Sequence, residues 1–286
     1  MEQVVINGLI LGMNYALIAL GLTLIFALMG VLNFAHGQLY VLGGFVTYYL
    51  YGVMGLPFVL ALVATAVTLA AVGIVMERAL FRRVLRISSR EESSMLLAAG
   101  TALLLESSIL IVFGEKQRGV PPVMTGVYEV FGAYVPAGRA FVFAASALLV
   151  AGFILFMQYT RPGRALRALA QDREAALLQG VNVKRYAMIG FAIGSALAGL
   201  SGALLVTVFA VNSGLGTPIS IKAFIMIMIG GAGVVSGAIF GAFVLGFVEA
   251  FGYFFIPGSI TYLLIFIGLI VFLSLRPQGI MGKPWG

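Results

Sequence analysis

The chain has 286 residues, of which 62% are hydrophobic and only 9% charged, with a mean hydropathy of +1.11. A soluble fold needs a charged surface that this composition cannot supply. The formal net charge of +7 comes with no cysteine and a single histidine, His36, which excludes a disulfide framework, a thiolate metal site and a multi-histidine metal centre. The excess of basic residues is better explained by the loops of a membrane protein than by nucleic acid.

Apolar stretches of about 20 residues, each long enough to cross a bilayer as a helix, recur from end to end. They are apolar all round, which argues for helices and against the alternating pattern of a transmembrane barrel. The first spans about 4–29 and opens on MEQ, with no Lys or Arg ahead of it. It reads as a retained span, not a cleavable signal. The second run, about 32–50, begins LNFAHGQLYVLGGF. Asn33, His36 and Gln38 are gathered there around Gly37, a pattern that suits either a broken helix beside protein or water, or a short interfacial turn.

A third span follows Pro57 and ends near Leu80, leading into a loop with Arg78, Arg82, Arg83, Arg86 and Arg90. Five arginines in so short a loop assign it to the cytoplasm. The fourth span, about 94–113, carries Glu106, and the polar, proline-containing stretch 114–139 reads as an outer loop. The fifth span is about 140–159. After it comes the longest strongly polar interval, 161–185, with six of the seventeen basic residues. Pro162 and Gly163 are expected to end the fifth span. Residues 164–179 favour helix, and Gly180 supplies a stop. Leu166, Leu169, Ala170 and Leu177 share one face, with Arg167, Gln171 and Glu174 on another. Asp172 and Glu174 suit an anionic lipid surface poorly, so a protein partner is the better reading.

The sixth span is about 187–211, with Ser195, Gly199 and Ala203 at four-residue spacing. A turn at 212–220 precedes a short segment opening at Lys222, about 21 Å long if helical and so short of the bilayer core. Gly233, Gly237 and Gly241 form two overlapping small-residue repeats suited to close helix packing. The eighth span carries Glu249, a turn is expected at Pro257 and Gly258, and the last span is about 260–275. The two inner loops and the tail hold thirteen of the seventeen Lys and Arg residues. That asymmetry sets the N-terminus outside and the C-terminus in the cytoplasm. The fold expected is all-α: a polytopic membrane protein of about eight to nine transmembrane helices in a single domain, 1–286.

Ionisable residues within spans are costly and tend to face a cavity or partner. Glu106 and Glu249 are therefore candidates, with Asn33, His36 and Gln38, for a pathway or polar network. Lys222 reads as snorkelling to the outer interface. No phosphate-binding loop is present: Gly282-Lys283 is followed by Pro284 and lacks the preceding glycine. No catalytic group can be assembled either, so the chain does not read as an enzyme.

Glu174-Ala175-Ala176, followed after three residues by Gly180, resembles the coupling-helix signature of ABC importer permeases. The strings GRALRALAQDREAALLQGVNV, LNFAHGQLYVLGG, GGAGVVSGAIFGA and RPQGIMGK extend the resemblance to the branched-chain amino-acid permeases. The Ile-x-Leu-Pro ending of the general motif is absent, in keeping with a type II-like permease architecture.

That resemblance implies one subunit of an ATP-driven importer for Leu, Ile or Val, in the bacterial inner membrane. It implies a second homologous permease, two cytoplasmic ATPase subunits that bind the ATP and Mg, and an extracytoplasmic substrate-binding protein. Lipid surrounds the assembly and nucleic acid has no part. Arg164, Arg167, Asp172, Glu174, Ala175 and Gly180 would form the contact with the ATPase, and the loop 114–139 would receive the binding protein. The resemblance leaves open a related importer for urea, amides or other small amino acids. The rival from another class is an ion-coupled transporter using Glu106 or Glu249.

Overall fold

The computed structural model describes residues 1–30, 32–87, 91–130, 132–256 and 258–282. The expected turn residue Pro257 and the charges of Arg90 and Lys283 lie outside the described residues. Long apolar runs without internal proline become helices because every backbone group is then satisfied within its own segment. The first is α1, Glu2–Met29, ended by Gly30 in the left-handed region at φ 65°. The chain then turns back: α2, His36–Thr47, starts with His36 against Ile18 and Gly21, beside the second half of α1. Its last turn widens into π-helix at Tyr48–Val53.

Next come α3, Phe58–Met76, with a π-helical turn at Glu77–Phe81; α4, Arg82–Ile87; and α5, Glu91–Phe113. The stretch expected as a plain outer loop contains a small antiparallel hairpin, β1 Val127–Val130 with β2 Ala133–Pro136. Pro136 then leads into α6, Ala137–Tyr159. The polar interval folds as two helices, α7 Arg161–Gln171 and α8 Arg173–Leu178. They are followed by α9 Val183–Leu205, α10 Gly216–Gly230, α11 Val235–Phe255 and α12 Gly258–Leu275.

Among the described residues, seven helices are long and apolar enough to cross a membrane, with Ile260–Leu275 a shorter apolar one. The expected count of eight to nine spans is therefore not confirmed, though the polytopic all-α class is. α2 with its π-helical end, 36–53, falls outside the seven because His36, Gln38 and its tyrosines and glycines lower its hydropathy. The core is formed by α1 and α9: 78% of the apolar window of each is buried, against 17% for α5 and 28% for α3 and α6. α1 packs against α11, α9 and α6, and α9 also packs against α3 and α2. α5, α6 and much of α3 form the outer, apolar face.

Small residues set these contacts, because without a hydrophobic driving force in lipid, helices associate by close packing. Gly43 of α2 meets the Gly199 backbone of α9, and Gly199 also rests against Leu69 of α3. Ser195 packs against Gly73 of α3. Gly237 and Gly241 of α11 abut the carbonyls of Gly230 and Met226 on α10. Gly233, grouped with them by spacing alone, stands outside the helix in the preceding turn, at φ 82°. A run of three glycines cannot show which members are helical; the left-handed conformation at Gly231 and Gly233 ends the periodicity.

Candidate functional site

Two regions of the molecule gather the polar residues: the knuckle at α7 and α8, and three polar clusters among the spans. The knuckle begins where α6 stops at Tyr159. Thr160 turns extended, and its Oγ1 accepts from Gly163 N at 3.0 Å. Pro162 and Gly163 therefore start α7; they do not close the preceding span. Proline is tolerated in a first turn, where its missing N–H would be unpaired anyway. Gly163 fits because a Cβ would overlap the Phe156 carbonyl.

Leu166 and Leu169 anchor α7 to the body as buried residues, while Arg164 and Arg167 are exposed. Arg167 Nη2 donates to Gln158 O at 3.2 Å. The single helix expected over 164–179 is broken at Asp172, whose backbone is extended at φ −155°. The side chain explains the break: Oδ1 accepts from Glu174 N at 2.9 Å and Ala175 N at 3.0 Å, making Asp172 the N-cap of α8. Aspartate competes with the backbone for these donors and favours a cap over a helix interior.

The break also divides the face predicted from spacing. Ala170 is exposed, Ala176 is buried, and Leu177 and Leu178 are 53% and 88% exposed. Gly180 at φ 81° closes α8, with Gly180 N donating to Leu177 O and Val181 N to Ala176 O. This is the left-handed helix ending that glycine supplies without a Cβ penalty. Asn182 then caps α9, accepting from Arg185 N at 3.1 Å.

The first cluster among the spans surrounds the start of α2. Asn33 Oδ1 accepts from Ala35 N at 3.1 Å, and His36 is hydrogen-bonded to Ile18 O at 3.1 Å; both residues are fully buried. Gly37 N donates to Ser220 Oγ, which itself donates to Phe34 O. Gln38 Nε2 donates to Glu106 Oε2 at 3.0 Å, and Thr217 Oγ1 donates to the same oxygen at 3.1 Å. Of the two readings of this segment, the doubled-back chain beside α1 fits a broken helix facing protein.

The second cluster holds Lys222 and Glu249. Lys222 Nζ is 2.7 Å from Glu249 Oε1 and donates to Tyr15 OH at 2.9 Å; Tyr15 OH donates to Glu249 Oε2 at 2.5 Å. Lys222 does not snorkel. α10 begins at Gly216, not at Lys222, so the ammonium projects among α1, α10 and α11 and not at a helix end. Glu249 takes its bonds from Lys222 and Tyr15, and among the described residues no hydrogen bond joins it to Asn33, His36 or Gln38.

The third cluster is Asn14 with Ser201 and Ser146: Ser201 Oγ donates to Asn14 Oδ1 at 2.6 Å, and Asn14 Nδ2 reaches Ser146 Oγ at 3.5 Å. Sequence reasoning missed Tyr15, Ser201, Thr217 and Ser220. Tyr15 and Ser201 lie in apolar runs and Thr217 and Ser220 in the stretch expected as a turn, each separated from its partner by more than 100 residues. No local pattern marks them.

A cavity of about 1070 Å³ lies between the α7 face at Arg167 and Gln171, the ends of α1 and α6, the turn 232–236, and Gln278 of the tail. The knuckle, the glycine turn and the tail thus share one end of the molecule. The hairpin lies toward the other end, where Arg118 pairs with Val211.

The chain matches the family described as branched-chain amino acid transport system / permease component over residues 4–275. It belongs to this family. Among similar proteins is the high-affinity branched-chain amino acid transport system permease protein BraD of Pseudomonas aeruginosa, 33% identical over 99% of this chain and 96% of the relative. The corresponding LivH protein of Escherichia coli is 31% identical over the same shares. The probable LivH of Methanocaldococcus jannaschii is 28% identical over 99% of this chain and 94% of its own. No solved structure matches. The permease family therefore covers α1 to α12 without a break, knuckle and polar clusters included.

Proposed function

We propose that this permease is one membrane-spanning subunit of an ATP-driven importer that carries leucine, isoleucine or valine inward by alternating access. The names of the relatives supply the substrate class. A second, homologous permease, two ATPase subunits binding ATP and Mg, and an extracytoplasmic binding protein complete the assembly. The N-terminus is outside, the C-terminus and the knuckle are cytoplasmic, and the hairpin side receives the binding protein. The charge asymmetry of the loops supports that orientation, and a type II-like architecture is in keeping with it.

The observation that carries the reading is the knuckle itself. It exposes Leu177 and Leu178 beside Glu174, yet its two helices are fixed by Thr160, Asp172, Gly180 and Asn182. An exposed apolar pair on a rigid mount favours a protein groove over water. ATPase closure would push the knuckle as a body, and Leu166 and Leu169 would pass the push into the bundle.

Co-reconstitution tests this. Glu174→Arg or Gly180→Pro should abolish ATP-driven leucine uptake or release the ATPase subunits, while the binding protein still docks. Native uptake by both variants would overturn the coupling role. Leucine movement driven by an ion gradient, with no ATPase present, would overturn the importer reading.

A further inference from the structure

Three ionisable side chains project from within α5, α10 and α11, and two of them neutralise each other as the Lys222–Glu249 pair. Glu106 has no such partner: among the described residues no Lys or Arg lies within ion-pair distance of it. A lone carboxylate within a span faces a cavity, a water path or a partner, since lipid offers it nothing. The groups that meet Glu106 are neutral, and both donate to it. Gln38 is 1% exposed; its Nε2 donates to Glu106, and its Oε1 has no hydrogen-bond partner. The amide orientation is fixed, because turning it would set oxygen against carboxylate. Thr217 adds a hydroxyl from the exposed side of α10.

A carboxylate, an unpaired amide oxygen and a rotatable hydroxyl match a primary ammonium, which brings one positive charge and three N–H donors. The surface next to them is apolar. Thr217, Ile221 and Phe224 follow one face of α10, and the Phe224 ring meets Phe34 at 4.9 Å. We propose that Glu106, with Gln38 and Thr217, is the subsite of the transport path that receives the α-ammonium group of the amino acid, its branched side chain lying toward Ile221 and Phe224. This rests on the permease reading above.

The test uses the assembled importer in vesicles of phosphatidylcholine and phosphatidylglycerol, so that no lipid carries a primary amine. Glu106 is treated with a carbodiimide in excess over any added ligand, and the loss of the unmodified residue, whether to the acylurea or to an amide of the added amine, is followed by mass spectrometry. Leucine and isoamylamine should slow the labelling; 4-methylpentanoate, which keeps the carbon skeleton and carboxylate but lacks the ammonium, should not. Equal protection by all three, protection by none, or a carboxylate shielded by assembly whatever is added would overturn the subsite. In the same vesicles Glu106→Gln should lower ATP-driven leucine uptake by about tenfold or more, with binding-protein-stimulated ATP hydrolysis kept and Glu106→Asp recovering part of the loss. Native uptake by Glu106→Gln would sink the subsite and leave the importer reading standing. If the native assembly itself moved no leucine, both would fall. Should Glu106→Gln not assemble, the labelling of the native protein decides.

Discussion

Lys222 Nζ lies 2.7 Å from Glu249 Oε1 across the α10–α11 contact, and Tyr15 of α1 hydrogen-bonds to both residues. Both side chains are largely withdrawn from solvent, at 14% and 2% exposure. Removing one partner leaves the other charge buried and uncompensated. Glu249→Gln should therefore destabilise the permease by about 3–5 kcal/mol, whereas Lys222→Met with Glu249→Leu should recover most of that loss. Thermal unfolding in detergent checks both; equal loss in the single and double variants would show that the uncompensated charge is not what destabilises Glu249→Gln.

Gly230 and Gly237 stand backbone to backbone, so that a Cβ on either would overlap the other's carbonyl. Neither backbone can retreat without opening the α10–α11 contact. Gly237→Leu should abolish recovery of folded monodisperse protein. Gly268→Leu is the control, since nothing lies within 4 Å of a Cβ there. Size-exclusion profiles of the two variants should differ accordingly.

Asp172 holds the joint between α7 and α8 by accepting from the amides of Glu174 and Ala175. Asp172→Ala should cost about 1 kcal/mol of local stability, and Asp172→Asn should cost much less. Hydrogen exchange at Glu174 and Ala175 reads this directly. Unchanged protection in the alanine variant would mean that the cap does not hold the joint.

The tail is strapped to the end of α10: Ile280 N donates to Ile229 O at 2.9 Å and Met281 N to Gly230 O at 3.0 Å. Gly279 makes the strap possible at φ 77°, with no room for a Cβ beside Gly231. Gly279→Val should free the tail and lower the unfolding midpoint, because a branched residue is strained in that region by at least about 1–2 kcal/mol. Limited proteolysis should then cut the tail earlier than in the native chain.

Much of this was legible from residue order. The apolar runs place α1, α3, α5 and α6 to within about four residues, because a span must satisfy its own backbone; the run read as 187–211 is α9 at Val183–Leu205. Gly180 was legible as a stop because few other residues adopt its left-handed backbone. The joint at Asp172 was not, since helix propensity summed over 164–179 conceals one residue whose side chain outcompetes the backbone. Lys222 was misread for a related reason. Its distance from an apolar boundary was visible, but the start of α10 at Gly216 and the carboxylate facing it were not.

The sequence by itself determined that this is a membrane protein and which strongly polar interval stands between its spans, because hydrophobic length and charge act locally along the chain. Only the tertiary structure decided which intramembrane charges cancel and which does not. Tyr15, Lys222 and Glu249 meet across as many as 234 residues, and Gln38, Glu106 and Thr217 across as many as 111. A buried charge takes its meaning from the group opposite it, and that group is chosen by the packing of helices, not by the order of residues.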